Sequence, residues 1–232
     1  MSVYAFIFAR GGSVGLPGKN IKHLGGVPLL AHSIRVAQNI PAVKKIFVST
    51  DSDDIAAVAH EYGADVIKRP ASLATSTASE WDAWRHAIEF LNQRGEYFDV
   101  FLSLPTTSPL RAVIDVEQCL MALKEDTDVV LAVTPAARSP YFNMVTRVGD
   151  GTSKLVLGDA TIKRRQDAPD LYDITTVAYV TRPDFIMTKN GLFAGKVSSV
   201  VVPKNRAVDI DDDIDFMLAE SIYNRGKYEF ES

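Results

Sequence analysis

The chain has 232 residues, 47% of them hydrophobic and 23% charged, and its 25 basic and 29 acidic side chains leave a net charge of −4. That length can bury a substantial core, the acidic balance argues against a nonspecific nucleic-acid binder, and no stretch approaches the ~20 apolar residues of a membrane span. The opening "VYAFIFA" lacks the basic flank and cleavage site of a signal peptide, and the single cysteine, Cys119, allows no intrachain disulfide, so a cytoplasmic protein is expected.

Short apolar or β-branched runs mark strands, and longer 3.6-residue patterns mark helices. The pattern predicts a buried strand over 3–9, the loop "ARGGSVGLPGKN", and a helix over 28–39 with Pro28 in its first turn. Strands follow over 45–50 and 64–68, separated by a helix over 51–63 that opens on acids and stops at Gly63. A polar loop over 69–80 leads into a helix over 78–94, where Thr77 and Glu80 have the spacing of a capping box. A strand over 98–104, the loop "PTTSPLR" (105–111), a helix over 113–125 with Cys119 as buried filler, and a strand over 128–134 come next. This alternation predicts an α/β fold: a Rossmann-like, doubly wound, mostly parallel sheet with right-handed crossovers. Residues 136–173 break the rhythm with glycines, prolines and no amphipathic helix, and they are expected to form an extended excursion. Strands over 174–181 and 197–203 and a helix over 212–224 return to the sheet, so 1–232 is expected to be one domain.

In open α/β sheets, ligands sit beyond the carboxyl ends of the strands. The glycine-rich loop, Asp51, the 69–77 loop and "PTTSPLR" all follow strands and are expected to line one rim. The first loop contains Arg10, Lys19 and Lys22 and is suited to phosphate: glycines let backbone N–H groups approach, Ser13 adds a donor, Arg10 offers a fork and Lys19 a point charge. A Walker loop fails on spacing and on Asn20, which stands where a Mg²⁺-binding hydroxyl is needed. The dinucleotide fingerprint GxGxxG fails as well, which argues against a NAD-dependent dehydrogenase. In "DIDDDID", helix N-terminal charge accounts for Asp212, Asp213 and Asp215. If 207–211 is extended, Asp209 and Asp211 project to one side, where two carboxylates with phosphate oxygens and waters suit Mg²⁺.

"ARGGSVGLPGKN", "VSTDSDDIAAVAHEYGADV", "KRPASLATSTAS", "TSPLR", "RRQDAP" and "AVDIDDDIDFMLAE", in this order along nearly the whole chain, resemble the CMP-acylneuraminate (CMP-nonulosonate) synthetase family of cytidylyltransferases. The resemblance implies that CTP and an acidic 2-keto-3-deoxy sugar react to give a CMP-sugar and pyrophosphate. It implies catalytic roles for Arg10, Lys19 and Asp211 and Mg²⁺ on Asp209 and Asp211. It also implies CTP contacts at Gly11, Gly12, Ser13, Asn20, Arg69, Ser79 and Thr107; the rival readings are a turn residue for Asn20, a surface cation for Arg69 and local backbone bonding for Ser79 and Thr107. Arg165, Gln166, Asp173 and Thr175 match positions toward the sugar, with a solvated charge run as the rival for "RRQ". Pro105 stands where the family has a glutamine, Asp173 where it has an arginine and Thr175 where it has an asparagine. The resemblance therefore implies a sugar other than N-acetylneuraminate, such as legionaminic or pseudaminic acid, with a Kdo-type or other sugar nucleotidyltransferase as the alternative and a silent nucleotide-binding protein as a third reading. The 136–173 excursion corresponds to the family's homodimerisation segment, with "SPYF" as its aromatic contact and a lid within one chain as the rival.

Overall fold

A computed structural model describes residues 1–13, 15–158 and 164–226. In chain order the elements are β1 (Val3–Phe8), β2 (His23–Leu24), β3 (Val27–Pro28), α1 (Leu29–Gln38), β4 (Val43–Thr50), α2 (Asp53–Glu61), β5 (Asp65–Lys68), α3 (Glu80–Asn92), β6 (Val100–Ser103), α4 (Val113–Ala122), β7 (Val129–Pro135), β8 (Val145–Arg147), β9 (Ser153–Leu155), β10 (Tyr172–Thr181), α5 (Pro183–Thr188), β11 (Val197–Val201) and α6 (Asp213–Arg225). Seven strands form one sheet in the order β11-β7-β10-β6-β1-β4-β5. Only β10 is antiparallel to its neighbours.

The alternation along β1 shows why helices cover both faces. Side chains in a strand point to opposite sides in turn. Val3, Ala5 and Ile7 enter a core with Leu30 and Ile34 of α1, Ala59 of α2 and Val116 and Cys119 of α4. Tyr4 and Phe6 enter a second, aromatic core with Phe47, Phe101 and the α3 residues Trp84, Ile88 and Leu91. A fully buried side chain of this size contributes about 1.5–3 kcal/mol, so both faces are anchored. The doubly wound, mostly parallel sheet follows the expectation from sequence.

Local departures have physical causes. Pro28 ends β3 and caps α1 from outside the helix, because a two-residue hairpin precedes it: Gly25 and Gly26, at φ 60° and 84°, form the turn between β2 and β3. A Cβ on Gly25 would lie 2.0 Å from the Tyr223 ring, so α6 packs directly on this hairpin. The Thr77–Glu80 capping box does not form. Ser79 is the N-cap residue and Glu80 opens α3, with its Oε1 accepting from Trp84 Nε1 at 3.2 Å. In contrast, Asp212 caps α6 through Ile214 N and Asp215 N, and Asp215 completes the box. The 136–173 excursion contains no α-helix among its described residues; it holds the β8–β9 hairpin and a 3₁₀ turn over Arg165–Asp167. Residues 159–163, Lys163 among them, and Val14 of the first loop lie outside the described residues.

Candidate active site

The strand ends decide where the site lies. β4 runs into Asp51, which accepts from Gly11 N and, against expectation, is not a lining residue; β1 runs into Ala9 and Arg10, β5 into Arg69, and β6 into Pro105, Thr106 and Thr107. With the start of α3 and the segment before α6 they enclose a cavity of about 610 Å³. Arg10, Ser13, Lys19, Asn20, Arg69, Ser79, Thr107, Asp209 and Asp211 all line it, so nine residues selected from four separate stretches of sequence converge.

Each stretch is pinned to another. Arg10 Nη1 donates to the Thr75 carbonyl at 2.5 Å, joining the glycine loop to the 69–80 loop. Asn20 Nδ2 donates to the Arg10 carbonyl at 2.9 Å, and Asn20 Oδ1 accepts from Thr106 at 2.5 Å. Asn20 thus braces two loops while it faces the cavity. Leu16 is buried with Leu24, Leu29, Leu110, Ile210 and Phe216 beneath the glycine loop. Lys19 Nζ donates to the Ile210 carbonyl at 2.6 Å and to Asp211 Oδ1 at 3.2 Å. A Cβ on Gly15 would sit 2.5 Å from the Asp211 carbonyl oxygen, so only glycine lets the loop come this close to the acidic segment.

Not every cation of the loop is free for phosphate. Lys22 pairs with Asp213 at 3.3 Å and lies 4.3 Å from the centre of the Phe216 ring, outside the cavity lining. Gly11 N donates to Asp51 Oδ1 at 2.9 Å, which turns that amide toward β4. Gly12 is exposed, and neither glycine is a lining residue. Arg69 is buried, its Nε on Ser49 Oγ at 3.1 Å and its Nη2 on the Ser49 carbonyl at 2.7 Å, and it stacks on Phe8. Desolvation lowers its pKa, against the opposing pull of Asp51 and Glu80.

The acidic pair can accept a cation. Asp209 Oδ1 is buried without a hydrogen-bond partner among the described residues, and the Asp211 side chain is 77% exposed with Lys19 beside it. No cluster of three potential metal ligands occurs among the described residues. Two carboxylates with further oxygens from phosphate and water suit Mg²⁺.

The sugar-side expectations fare differently. β10 pairs Ile174 with Val133 and Tyr179 with Leu131, leaving only Ala132 opposite residues 175–178. This bulge turns Thr175 onto the Ala132 carbonyl at 2.9 Å, away from the cavity, and brings Thr176 to the lining instead. Thr176 Oγ1 accepts from Thr107 at 3.0 Å and shares a hydrogen bond with Ser108 at 2.7 Å. Asp173 accepts from Ala137 N at 3.1 Å at the base of the excursion, and neither it nor Gln166 is a lining residue. The Arg165 side chain lies outside the described part of the chain. Arg164 is held by Asp167 at 2.7 and 2.9 Å, in keeping with a solvated charge run.

Thr176, Tyr179 and Glu80 are among the lining residues not assigned to the site from sequence. Tyr179 lines the cavity, its phenol pushed up to about 12 by burial and by the nearby carboxylates Glu80 and Asp209, so it remains a neutral donor. Glu80 lines it as well, and desolvation raises its pKa despite the Trp84 hydrogen bond and the Arg69 charge. A raised folded-state pKa means that the native chain holds this proton more tightly than the unfolded one. The ionised carboxylate therefore costs stability as pH rises above the ordinary carboxylate range.

Comparison with known proteins gives the family. A cytidylyltransferase family model matches residues 4–208. The chain belongs to the cytidylyltransferase family. It is 34% identical over 221 residues to "Post-translational flagellin modification protein B" of Campylobacter coli, covering 92% of each chain. It is also 34% identical over 217 residues to CMP-N,N'-diacetyllegionaminic acid synthase of Campylobacter jejuni, again with 92% of each covered. Among solved structures, CMP:2-keto-3-deoxy-manno-octonic acid synthetase in complex with CTP superposes with a TM-score of 0.73 at 16% identity, covering 97% of this chain and 100% of that one. The family resemblance read from the motifs is confirmed by these relatives, and the last comparison supports the fold.

Proposed function

We propose that this cytidylyltransferase activates a nonulosonic sugar acid of the legionaminic type with CTP, giving a CMP-sugar and pyrophosphate. The convergence of Arg10, Lys19, Arg69, Asp209 and Asp211 on one cavity, in a chain of this family, carries the reading. The anomeric oxygen forms a bond to the α-phosphorus, the bond from that phosphorus to the β-phosphate oxygen breaks, and pyrophosphate leaves with the electron pair. Arg10, Ser13 and Lys19 bind and orient the triphosphate, and their positive charge offsets what develops on the leaving oxygens. Asp211 takes the hydroxyl proton, directly or through water. Asp209 and Asp211 would hold Mg²⁺, which when bound supplies further charge neutralisation at the phosphates. Asn20, Arg69, Ser79 and Thr107 complete the nucleotide pocket. Intact cations and carboxylates in one cavity speak against a silent nucleotide binder.

The name of the Campylobacter jejuni relative makes a legionaminic acid the first acceptor to test. The decisive experiment is a pyrophosphate-release screen that crosses CTP and UTP with legionaminic, pseudaminic, neuraminic and Kdo-type acids, with and without Mg²⁺. Release with CTP, a legionaminic-type acid and Mg²⁺ is expected. No release with any acid would sink the enzyme reading, and a preference for the Kdo-type acid would favour the alternative.

The same reading includes a homodimer formed through 136–173. Val145, Leu155, Val156, Leu157, Tyr172 and Ile174 are all exposed there, an apolar density that a monomer seldom leaves in water. Tyr141 and Phe142 of "SPYF" are half-buried, so the strand residues, more than the aromatics, would form the contact. A partner chain could bring Arg165, Gln166 and Asp173 to the sugar. Sedimentation should give a species of twice the 25.4 kDa chain mass; a monomer at high concentration would favour a lid within one chain. Among the described residues no helix is long and apolar enough to cross a membrane, and the proposed site of action is the cytoplasm.

A further inference from the structure

We propose that Glu80 reads the exocyclic amine of the nucleotide base and so selects cytosine over uracil. The inference rests on the nucleotidyl-transfer reading of the cavity. A site built to hold a triphosphate and a sugar acid, both anionic, has a third carboxylate in its wall. Asp211 pairs with Lys19, and Asp209 lies near the Arg111 charge. Glu80 belongs to a different wall, formed by the start of α3 with Phe8, Arg69, Ala83 and Tyr179. The Glu80 charge disfavours an anion against that carboxylate.

That wall fits a flat, uncharged, polar-edged ring. Phe8 supplies an aromatic surface, with the Arg69 guanidinium stacked 5.5 Å from its ring centre. Arg69 is locked in place by Ser49, and among the described residues no ion pair joins it to Glu80, although each feels the other's charge. A fixed donor and a fixed acceptor therefore open on the same space without satisfying each other. Trp84 Nε1 holds Glu80 Oε1 at 3.2 Å, which orients the carboxylate, and Oε2 has no hydrogen-bond partner among the described residues. Cytosine presents an amine donor at N4 beside acceptors at N3 and O2; uracil presents a carbonyl oxygen where cytosine has the amine. A carboxylate accepts from the cytosine amine and repels the uracil oxygen. Arg69 can donate to the remaining acceptors of the same edge. Glu80 is exposed to the cavity at the start of α3, so its free oxygen can meet the edge of a base.

The test is the ratio of kcat/KM for CTP to that for UTP, measured with one sugar acid. Glu80→Gln is nearly isosteric, keeps an acceptor for Trp84 and removes the charge, and its amide can turn an N–H toward uracil O4. The ratio is expected to fall by about tenfold or more, with UTP gaining as CTP loses. Glu80→Ala, which suits a helix start, should also lower the ratio by removing the repulsion. An unchanged ratio in both folded variants overturns the proposal, as does a change confined to the KM of the sugar acid. Wild-type protein that uses neither nucleotide would instead bring down the nucleotidyl-transfer reading itself.

Discussion

Asp211→Asn is expected to lower kcat by about 10³-fold without a measurable change in Tm, in line with the loss of a group that acts on developing charge. The structural side of this expectation is direct. The Asp211 carboxylate is 77% exposed and is bonded to Lys19 alone among the described residues. Its backbone N–H is held by Asp215 Oδ2 at 3.0 Å, and asparagine leaves that bond in place. Lys19 keeps the Ile210 carbonyl at 2.6 Å, so the loop stays docked. The functional side follows from the proposed roles: asparagine has no charge for Mg²⁺ and is a poor proton acceptor. Thermal melts and pyrophosphate release on the same preparation separate the two. Unchanged kcat at saturating Mg²⁺ would remove Asp211 from the mechanism, and a collapsed Tm would make it a structural residue. Asp209→Asn provides a contrast, because its Oδ1 is already buried and unpaired. Its loss of activity should come with weaker Mg²⁺ dependence and, because its charge opposes the burial of Arg111, with some loss of stability that Asp211→Asn does not show.

The legible part of this chain is the part whose signal is local. Each main strand is an apolar or β-branched run, and the glycine loop and the acids before α6 declare their chemistry in consecutive residues. The convergence on one cavity also followed, because it needs only the rule that strands of one direction end on one rim. What escaped depends on partners distant in sequence. The β2–β3 hairpin has two-residue strands, too short for a hydrophobic period, and only Gly25-Gly26 marked it. "TTVAY" has the composition of a regular strand; the bulge that exchanges Thr175 for Thr176 arises from the register against β7. Glu80 stands three residues after Thr77, a spacing that reads as a capping box. Packing of Trp84 and the approach of Arg69 direct it to the cavity instead. Lys22 was counted with the phosphate cations because it follows Lys19 closely, yet Asp213 and Phe216 of α6 hold it elsewhere.

Arg111→Met is expected to cost about 3–5 kcal/mol of stability, the range for removing one partner of a buried charged network. For a chain of this size that corresponds to a fall in Tm of roughly 6–20 °C. The motif "TSPLR" marked Arg111 as part of a family pattern, and the structure supplies the reason for an arginine. The residue is 3% exposed, and its guanidinium donates to Ser33 Oγ at 2.6 Å, to the Thr176 carbonyl at 3.1 Å and to the Pro105 carbonyl. It thereby ties α1, the loop after β6 and the bulge of β10 into one unit directly behind the cavity. Burial pulls its pKa down to about 9, and only the nearby Asp209 and Asp115 carboxylates oppose that shift. Asp115 is itself claimed by Arg206 in a bidentate pair at 2.9 Å, so it cannot fully compensate Arg111. Methionine fills the volume but removes the donor to the Thr176 carbonyl, leaves the Pro105 carbonyl to Ser33 Oγ alone and deprives Asp209 of a neighbouring positive charge. Arg111→Lys should recover little, because a single ammonium on a flexible stem cannot reproduce a planar fork spread over three acceptors. The position of Thr107 and Thr176 depends on the same unit, so kcat measured well below Tm should fall as well. A variant that melts like wild type would show that the bulge and the loop hold their places without Arg111. Retained stability with lost activity would instead move Arg111 from the scaffold to the tuning of Asp209.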